Sequence, residues 1–504
     1  MRFKWLLILL VFLTSCEKSN DDNENLNVAL GPEGQKLDSL LTPYINDLRW
    51  LTDNQAGLAI GVSKGDGIIY AHSFGYADLE KKEKVNANTL FHVASVSKPF
   101  VAFAIAKLIE QKKVSLEDKI VELIPAFEMK GTGYKDITVQ HILNHTSGIP
   151  ANLSPDDWTN PSFGDSALAE NILAAKEHEL LFEPGSQFSY SNSAYDILGL
   201  VIKRVSGMPF SEYINSYVLE PAGMLQSTYE KPSVSSTSNW AKAYSYGVET
   251  QEWQPYPYNE KLFPSSGLVT NLNDMMEWAQ LHLGKGIING DTILQENYFK
   301  LLLEHHFETP WGDSIGLSWF LQSYMDRPII MHQGQDTGFE SIVYLYPEEN
   351  VSIVVLANRD FSRTGRIINA ASEVLFGSTL KDYTISAKYK FAEAYKQNGI
   401  EQAKLLWAEL KTDTTDRYHS YDGDVLRTGS ILENAGEWKA TKEVLEYYNT
   451  LNDRSTYSWR LLGNANPNLG DTLKALSNYK KCLEINPKYV KASLAIEKIQ
   501  NNKN

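Results

Sequence analysis

Hydrophobic and polar positions change rhythm several times along the chain, and each change predicts an element. Leu37, Leu41, Ile45 and Leu48 recur at helical spacing within residues 34–51, with Pro43 inside the run, so a helix is expected that kinks at Pro43 or starts near it. Residues 57–77, GLAIGVSKGDGIIYAHSFGYA, hold two β-rich runs around Lys64-Gly65-Asp66-Gly67 and predict a hairpin. Residues 95–315 mix helical runs with loops rich in Ser, Pro, Asn and Gly. Strand patterns return in GLSWFLQSY, PIIMHQG, SIVYLYP and VSIVVLAN over 316–358, separated by short turns that favour antiparallel neighbours. The economical arrangement is one antiparallel sheet made of the first hairpin and the last strands, flanked by helices and a helical subdomain. The fold class is therefore α/β in the α+β sense. From about 385 the pattern becomes almost continuous amphipathic helix, and AGEWKATKEVLEYYNTLND (435–453) aligns with LGDTLKALSNYKKCLEINP (469–487), Gly436 over Gly470. In the second copy Trp459, Leu462, Gly463, Gly470, Ala475, Tyr479 and Pro487 stand where a tetratricopeptide repeat places its signature residues, which predicts an all-α repeat domain over 385–504.

The N-terminus departs from this globular texture. Arg2 and Lys4 precede the apolar run WLLILLVFL, which is too short to span a bilayer and ends in Thr14-Ser15-Cys16. Leu13-Thr14-Ser15-Cys16 resembles the lipobox of bacterial lipoproteins, so residues 1–16 are expected to be a signal peptide with Cys16 lipidated. The polar, acidic stretch after Cys16 predicts a flexible tether over 17–35. The expected location is the cell envelope, with the chain lipid-anchored at the outer membrane and facing periplasm or surface. Apart from Cys16 the chain has only Cys482, expected to be a small buried hydrophobe. A net charge of −15 argues against nucleic acid as partner and against a polybasic membrane contact.

Candidate chemistry starts at FHVASVSKPF (91–100). Pro99 lacks an N–H and fits only in a first helical turn, so the apolar run that follows predicts a helix starting close to Ser95. Ser95 would then lie among free backbone donors at the positive helix end, with Lys98 on the same face. A lysine on a dry face can take a proton from a neighbouring hydroxyl. Ser-x-x-Lys recurs at Ser477 and Lys480 within a repeat helix, so the tetrad alone is weak. Tyr190-Ser191-Asn192 stands on a loop leading into a helix and offers a second proton-transfer group and a carboxamide. His332-Gln333-Gly334 ends a strand, and its glycine would let a substrate lie against the backbone. Tyr-x-Asn recurs at Tyr44, Tyr213 and Tyr447, and His-x-Gly at His282, so order and setting carry the meaning.

In that order these elements resemble the serine hydrolase family of class C β-lactamases, D-alanyl-D-alanine carboxypeptidases, D-aminopeptidases and related esterases. The blocks ITVQHILNHTSGIP (137–150), PGSQFSYSNSAYDILGLVI (184–202), VLEPAGM (218–224), SSGLVTNLNDMMEWAQ (265–280) and VVLANRD (354–360) extend the resemblance over about 36–375 and set a hydrolase domain at 36–380. The resemblance implies a serine β-lactamase-like fold with Ser95 as acylated nucleophile, Lys98 as its base partner and Tyr190 relaying protons to leaving group and water. It places Asn192 in the same network, the N–H groups of Ser95 and Gln335 in the oxyanion hole, Gly334 on the substrate strand and Asn152 as a substrate-binding amide. The family usually has Lys-Thr-Gly or Lys-Ser-Gly where this chain has His332-Gln333-Gly334, which exchanges a fixed cation for a group mostly neutral at pH 7. That favours an ester, amide or D-amino-acid peptide over efficient β-lactam hydrolysis; structural support of Tyr190 is the competing role for His332. No cofactor or metal is expected, since the block containing His141 and His145 is structural in the family. The aromatic stretch WQPYPYNEKLF (253–263) either lines the cleft or packs on itself as a lid. The alternative function is a non-turnover protein that senses penicillin or cell-wall fragments, with a protein partner docked on the repeats.

Overall fold

The computed structural model describes residues 26–154, 160–164, 166–230, 239–246, 248–304, 306–415 and 417–501. The expected signal peptide, Cys16 and residues 17–25 lie outside these. Among the described residues, nine strands form one antiparallel sheet. They are β1 (Asn27–Ala29), β2 (Leu58–Lys64), β3 (Gly67–Phe74), β4 (Phe307–Glu308), β5 (Ser314–Ile315), β6 (Phe320–Tyr324), β7 (Arg327–Asp336), β8 (Phe339–Tyr346) and β9 (Val351–Ala357). Their spatial order is β1-β3-β2-β9-β8-β7-β6-β5-β4, so the first hairpin joins the last strands through the β2/β9 pair. The central strands read as continuous apolar runs because both faces are covered. On β9, Val351, Ile353 and Val355 enter one core while Val354 and Leu356 enter the other.

Helix α1 (Gly31–Leu51) covers the first face with Leu37, Leu41, Ile45 and Leu48, all buried. Pro32 lies in its first turn, where the missing N–H is harmless, and the helix runs through Pro43 without ending there. Order thus begins earlier than the sequence suggests. Residues 27–29 pair with β3 and α1 starts at Gly31, so the segment expected as tether is structured from Asn27 onward. The other face carries α2 (Lys98–Glu110), α3 (Asn192–Ser206) and α4 (Leu272–Leu283), and Phe100 of α2 stacks on Trp278 of α4 at 3.9 Å. Helix α5 (Thr364–Leu375) returns to the first face beside α1.

After Leu375 the chain enters α6 (Lys388–Leu410), interrupted at Gly399, then α7 (Asp422–Asn434), α8 (Trp438–Leu451), α9 (Thr456–Asn468), α10 (Thr472–Ile485) and α11 (Val490–Asn501). Helix starts recur 34 residues apart at Asp422, Thr456 and Val490, and again at Trp438 and Thr472. The close contacts recur with the same period. A Cβ on Gly429 would meet the Leu445 side chain at 2.3 Å, and one on Gly463 would meet the Tyr479 ring at 2.4 Å. Cys482 is buried, its Sγ donating to Thr456 O at 3.3 Å. No helix among the described residues is long and apolar enough to cross a membrane.

Candidate active site

Ser95 lies in a 3-10 turn, Ala94–Ser97, that passes into α2 at Lys98, with Pro99 in the first α-helical turn. The α-helix proper therefore starts three residues after Ser95, and the turn leaves the Ser95 N–H outside the helical ladder. Ala94 holds φ +48°, a left-handed conformation that an alanine keeps only when its surroundings fix it. Those surroundings are visible on both sides. Phe91–His92 pairs with Val269–Thr270 ahead of the turn, and the Ser97 Oγ accepts from Leu268 N at 3.0 Å behind it.

Lys98 is fully buried. Its Nζ donates to Asn192 Oδ1 at 2.8 Å, to Ser265 O at 2.8 Å and to Ser95 Oγ at 3.1 Å. The first two acceptors have no proton to give, so they orient the third position of the amine on the serine hydroxyl. Asn192 is the first residue of α3, whose N-cap Ser191 accepts from Ala194 N at 3.1 Å and donates to Pro150 O at 2.9 Å. The Asn192 Nδ2 donates to Asn152 Oδ1 at 3.1 Å, so Asn152 stands at the exposed edge of this network. Ser265 is held by its own N–H, which donates to the buried Asp196 carboxylate at 3.0 Å.

Tyr190 lies over this amine, its ring centroid 4.9 Å from Lys98 Nζ. The same ring stacks on His145 at 4.2 Å. His145 Nδ1 accepts from Ser191 N at 3.1 Å, which leaves the ring proton on Nε2. Burial, then the nearby Lys98 charge, push the His145 pKa well below its usual value, so the ring is neutral. His141 does different work: its Nδ1 accepts from Thr138 N while its own N–H donates to Thr138 Oγ1, closing a helix cap.

Strand β7 borders the cleft. Met325 and Asp326 both have positive φ in the two-residue turn between β6 and β7, which makes Tyr324/Arg327 a hydrogen-bonded pair. Counting along β7 from Arg327, odd-numbered residues point their N–H and C=O toward β6. That strand's pairing ends at Met331, so Gln333 and Gln335 present their backbone groups at an open edge. Gly334 makes the approach to the nucleophile turn possible. A Cβ there would lie 2.2 Å from Val93 O and 2.5 Å from Ser341 Oγ, which itself donates to Val93 O at 2.6 Å. His92 Nε2 and Asp336 Oδ2, 2.9 Å apart, tie the same two segments together.

His332 is buried on β7. Its Nδ1 faces Gln333 O at 2.8 Å and must carry the proton, leaving Nε2 as a bare acceptor. Burial first, then the Lys98 charge, depress its pKa to about 3. Ser95, Tyr190, Asn192, His332, Gly334 and Gln335 thus line one cleft of about 590 Å³.

A model of one protein family, described as Beta-lactamase, matches residues 45–375. The chain belongs to the beta-lactamase family. Among curated relatives it is 28% identical over 313 residues to Protein flp of Staphylococcus aureus (strain N315), covering 60% of this chain and 59% of that protein. It is 28% identical over 340 residues to Penicillin-binding protein 4* of Bacillus subtilis (strain 168), covering 62% of this chain and 71% of that one. The chain therefore spans about 59% of the length of the flp relative. Of solved structures, the octameric penicillin-binding protein homologue from Pyrococcus abyssi aligns with TM-score 0.61 at 24% identity, over 71% of this chain and 81% of that one. A class C beta-lactamase aligns with TM-score 0.58 at 19% identity, over 70% and 97%. At these identities the likeness is one of fold, and it fits an antiparallel sheet flanked by helices. The beta-lactamase match ends before the helical region that begins at α6.

Ser265 opens the quoted block 265–280 but contributes only a carbonyl, so its side-chain chemistry gave no signal. Trp311, Phe361 and Arg363, outside the quoted blocks, line the cleft from loops. Phe361 and Arg363 hold φ +60° and +64°, a conformation that non-glycine residues do not advertise in sequence. The aromatic stretch 253–263 is not in this cleft: Tyr256 packs on Phe339 at 5.7 Å and Tyr258 on Phe263 at 5.4 Å.

Proposed function

We propose that this chain is an exported, lipid-anchored serine hydrolase that acts through an acyl-enzyme on Ser95. The observation that carries the reading is the Lys98 amine, fixed by Asn192 and the Ser265 carbonyl so that its remaining position meets Ser95 Oγ. Lys98 takes the Ser95 proton as Oγ attacks a substrate carbonyl carbon. The developing oxyanion is met by the N–H groups of Ser95 and Gln335; one such donor is worth about 3 kcal/mol in the barrier. The proton returns to the leaving group through Lys98 and Tyr190 as the scissile bond breaks. Water, deprotonated by the same pair, then adds to the acyl carbon and releases Ser95.

The substrate is an ester, an amide or a D-amino-acid peptide. Neutral His332 supplies no charge for a substrate carboxylate, whereas Arg363, which precedes the N-terminus of α5, lines the same cleft. A substrate bearing an anion within reach of Arg363 suits that distribution. The name of the Bacillus subtilis relative, a penicillin-binding protein, supports acylation by β-lactams as well. The anchoring rests on the Leu13–Cys16 lipobox. Labelling with fluorescent penicillin and with a fluorophosphonate, followed by mapping of the adduct, tests the reading. An adduct on Ser95 with turnover of p-nitrophenyl esters or D-amino-acid amides supports it. Labelling that persists in Ser95→Ala sinks it, and a stable adduct without turnover makes the chain a penicillin or cell-wall-fragment sensor.

A further inference from the structure

Part of the cleft wall is made by the segment between β9 and α5, and this segment is unusual in two respects. Phe361 and Arg363 are both left-handed, a strained conformation for side chains of this size that persists only where neighbours over-determine it. Phe361 is also 42% exposed, and among the described residues its ring meets no other ring. Among the described residues no ring of the sheet domain holds it against the cleft.

The neighbour that does so comes from outside the family match. Lys388, the first residue of α6, is 8% exposed, and its Nζ lies 4.9 Å from the centroid of Phe361. The same ammonium lies 5.0 Å from Tyr389 and 6.0 Å from Tyr246, and it forms no ion pair among the described residues. Tyr246 and Tyr389 pack on each other at 4.9 Å, and the buried Arg359 guanidinium sits 4.4 Å over Tyr246. Arg359 is anchored in turn on Thr52 O at 3.1 Å. The start of α6 is itself fixed: Ile385–Ser386 pairs with Tyr418–His419, and Ala387 N donates to His419 O at 2.9 Å. An aliphatic side chain would fill this place with less desolvation. A cation adds a directional attraction to the face of the Phe361 ring.

We propose that Lys388 is a positioning residue that holds Phe361, and with it the left-handed Phe361–Arg363 wall, so that the C-terminal helical region sets which bulky substrates the Ser95 cleft accepts. This rests on the hydrolase reading above. The chemistry at Ser95 does not pass through Lys388; the effect is on how large substrate groups fit between the wall and β7.

The test uses the full chain with Lys388→Met, which keeps the stem without the charge, and Lys388→Arg, which restores a cation. Fluorophosphonate labelling of the unaltered chain is measured first. Turnover is then compared for p-nitrophenyl acetate and for two series enlarged on the acyl side and on the leaving-group side. Lys388→Met is expected to raise KM for the bulky members of at least one series about fivefold, with kcat for the acetate ester within about twofold, and Lys388→Arg to reverse the change. Phe361→Leu should shift the same series, and the double variant should add nothing further. An unchanged size preference, or an equal loss on all substrates that Lys388→Arg does not restore, overturns the proposal. Should Lys388→Met fail to fold, an unchanged size preference in Phe361→Leu overturns it as well. Labelled wild type with unchanged preference defeats this inference alone, whereas absence of Ser95 labelling defeats the hydrolase reading and this inference with it.

Discussion

The floor of the Ser95 cleft and the helical region after Leu375 both rely on small residues at close contacts, but they close those contacts over different lengths of chain. In the floor, Lys98 reaches Ser265 across 167 residues and Ser341 reaches Val93 across 248. In the helical region Tyr479 reaches Asn464 across 15 residues, Cys482 reaches Thr456 across 26 and Asn464 reaches Glu433 across 31. A site assembled from distant segments exists only when the whole domain is folded. A stack of neighbouring helices can loosen one unit at a time. The sheet domain therefore ties its cleft to global stability, while the helical region can vary locally and influence the cleft only where it touches it.

The sharpest break in this comparison is Ser95→Ala. It removes the nucleophile and no packing, so acylation should vanish and turnover fall on the order of 10⁴-fold, with the thermal midpoint unchanged. Gly334→Ala attacks the floor through its geometry. The added methyl would stand 2.2 Å from Val93 O, and neither backbone can give way without opening the Ser95/β7 contact. Its expected effect is a loss of about 10²–10³ in kcat together with about 2–3 kcal/mol of stability, read by kinetics and urea unfolding.

Acid should distinguish the regions next. His332 and His282 are buried and neutral, with pKa values near 3 and 4 against 6.5 in the unfolded chain, burial being the first cause in each. Below pH 6.5 the unfolded state binds protons that the folded state refuses. Stability is thus complete above about pH 6.5 and declines as pH falls toward the folded values, by about 1.4 kcal/mol per pH unit for each histidine. Urea unfolding at pH 7, 5 and 4 should show that decline in the hydrolase transition. His332→Gln should make it shallower by about one proton. The smallest effect is expected from Gly463→Ala in the helical region. The new Cβ meets the Tyr479 ring at 2.4 Å, a ring that can shift, so a loss of about 1–2 kcal/mol should appear. Hydrogen exchange should show it confined to α9 and α10, with kcat unaltered.

Much of this comparison was legible before any coordinates. The hairpin over 57–77, the four late strands and the stripe of Leu37, Leu41, Ile45 and Leu48 follow from alternation and helical spacing, and each is found in the structure. The site residues with distinctive side chains, Ser95, Lys98, Tyr190, Asn192 and His332, were found by motif order and converge on one cleft, with Lys98 beneath it. What escaped were contributions without a side-chain signature. The Ser265 carbonyl, the Asp196 carboxylate beneath it and the left-handed Phe361 and Arg363 belong to this class. The early start of order at Asn27 escaped because a three-residue edge strand has too few positions to show a period.

Taken alone, the sequence determined the elements, their order and which candidate groups to look for, because these depend on spacing within one segment and on the chemistry of single residues. Tertiary structure decided which acceptors aim the Lys98 amine, that Gly334 must lack a side chain, that His332 is neutral, and that Lys388 lies against the cleft wall. Each of those facts depends on burial and on distances between segments far apart in the chain. Local pattern fixes neither quantity, since both arise only when the sheet and helices close on one another.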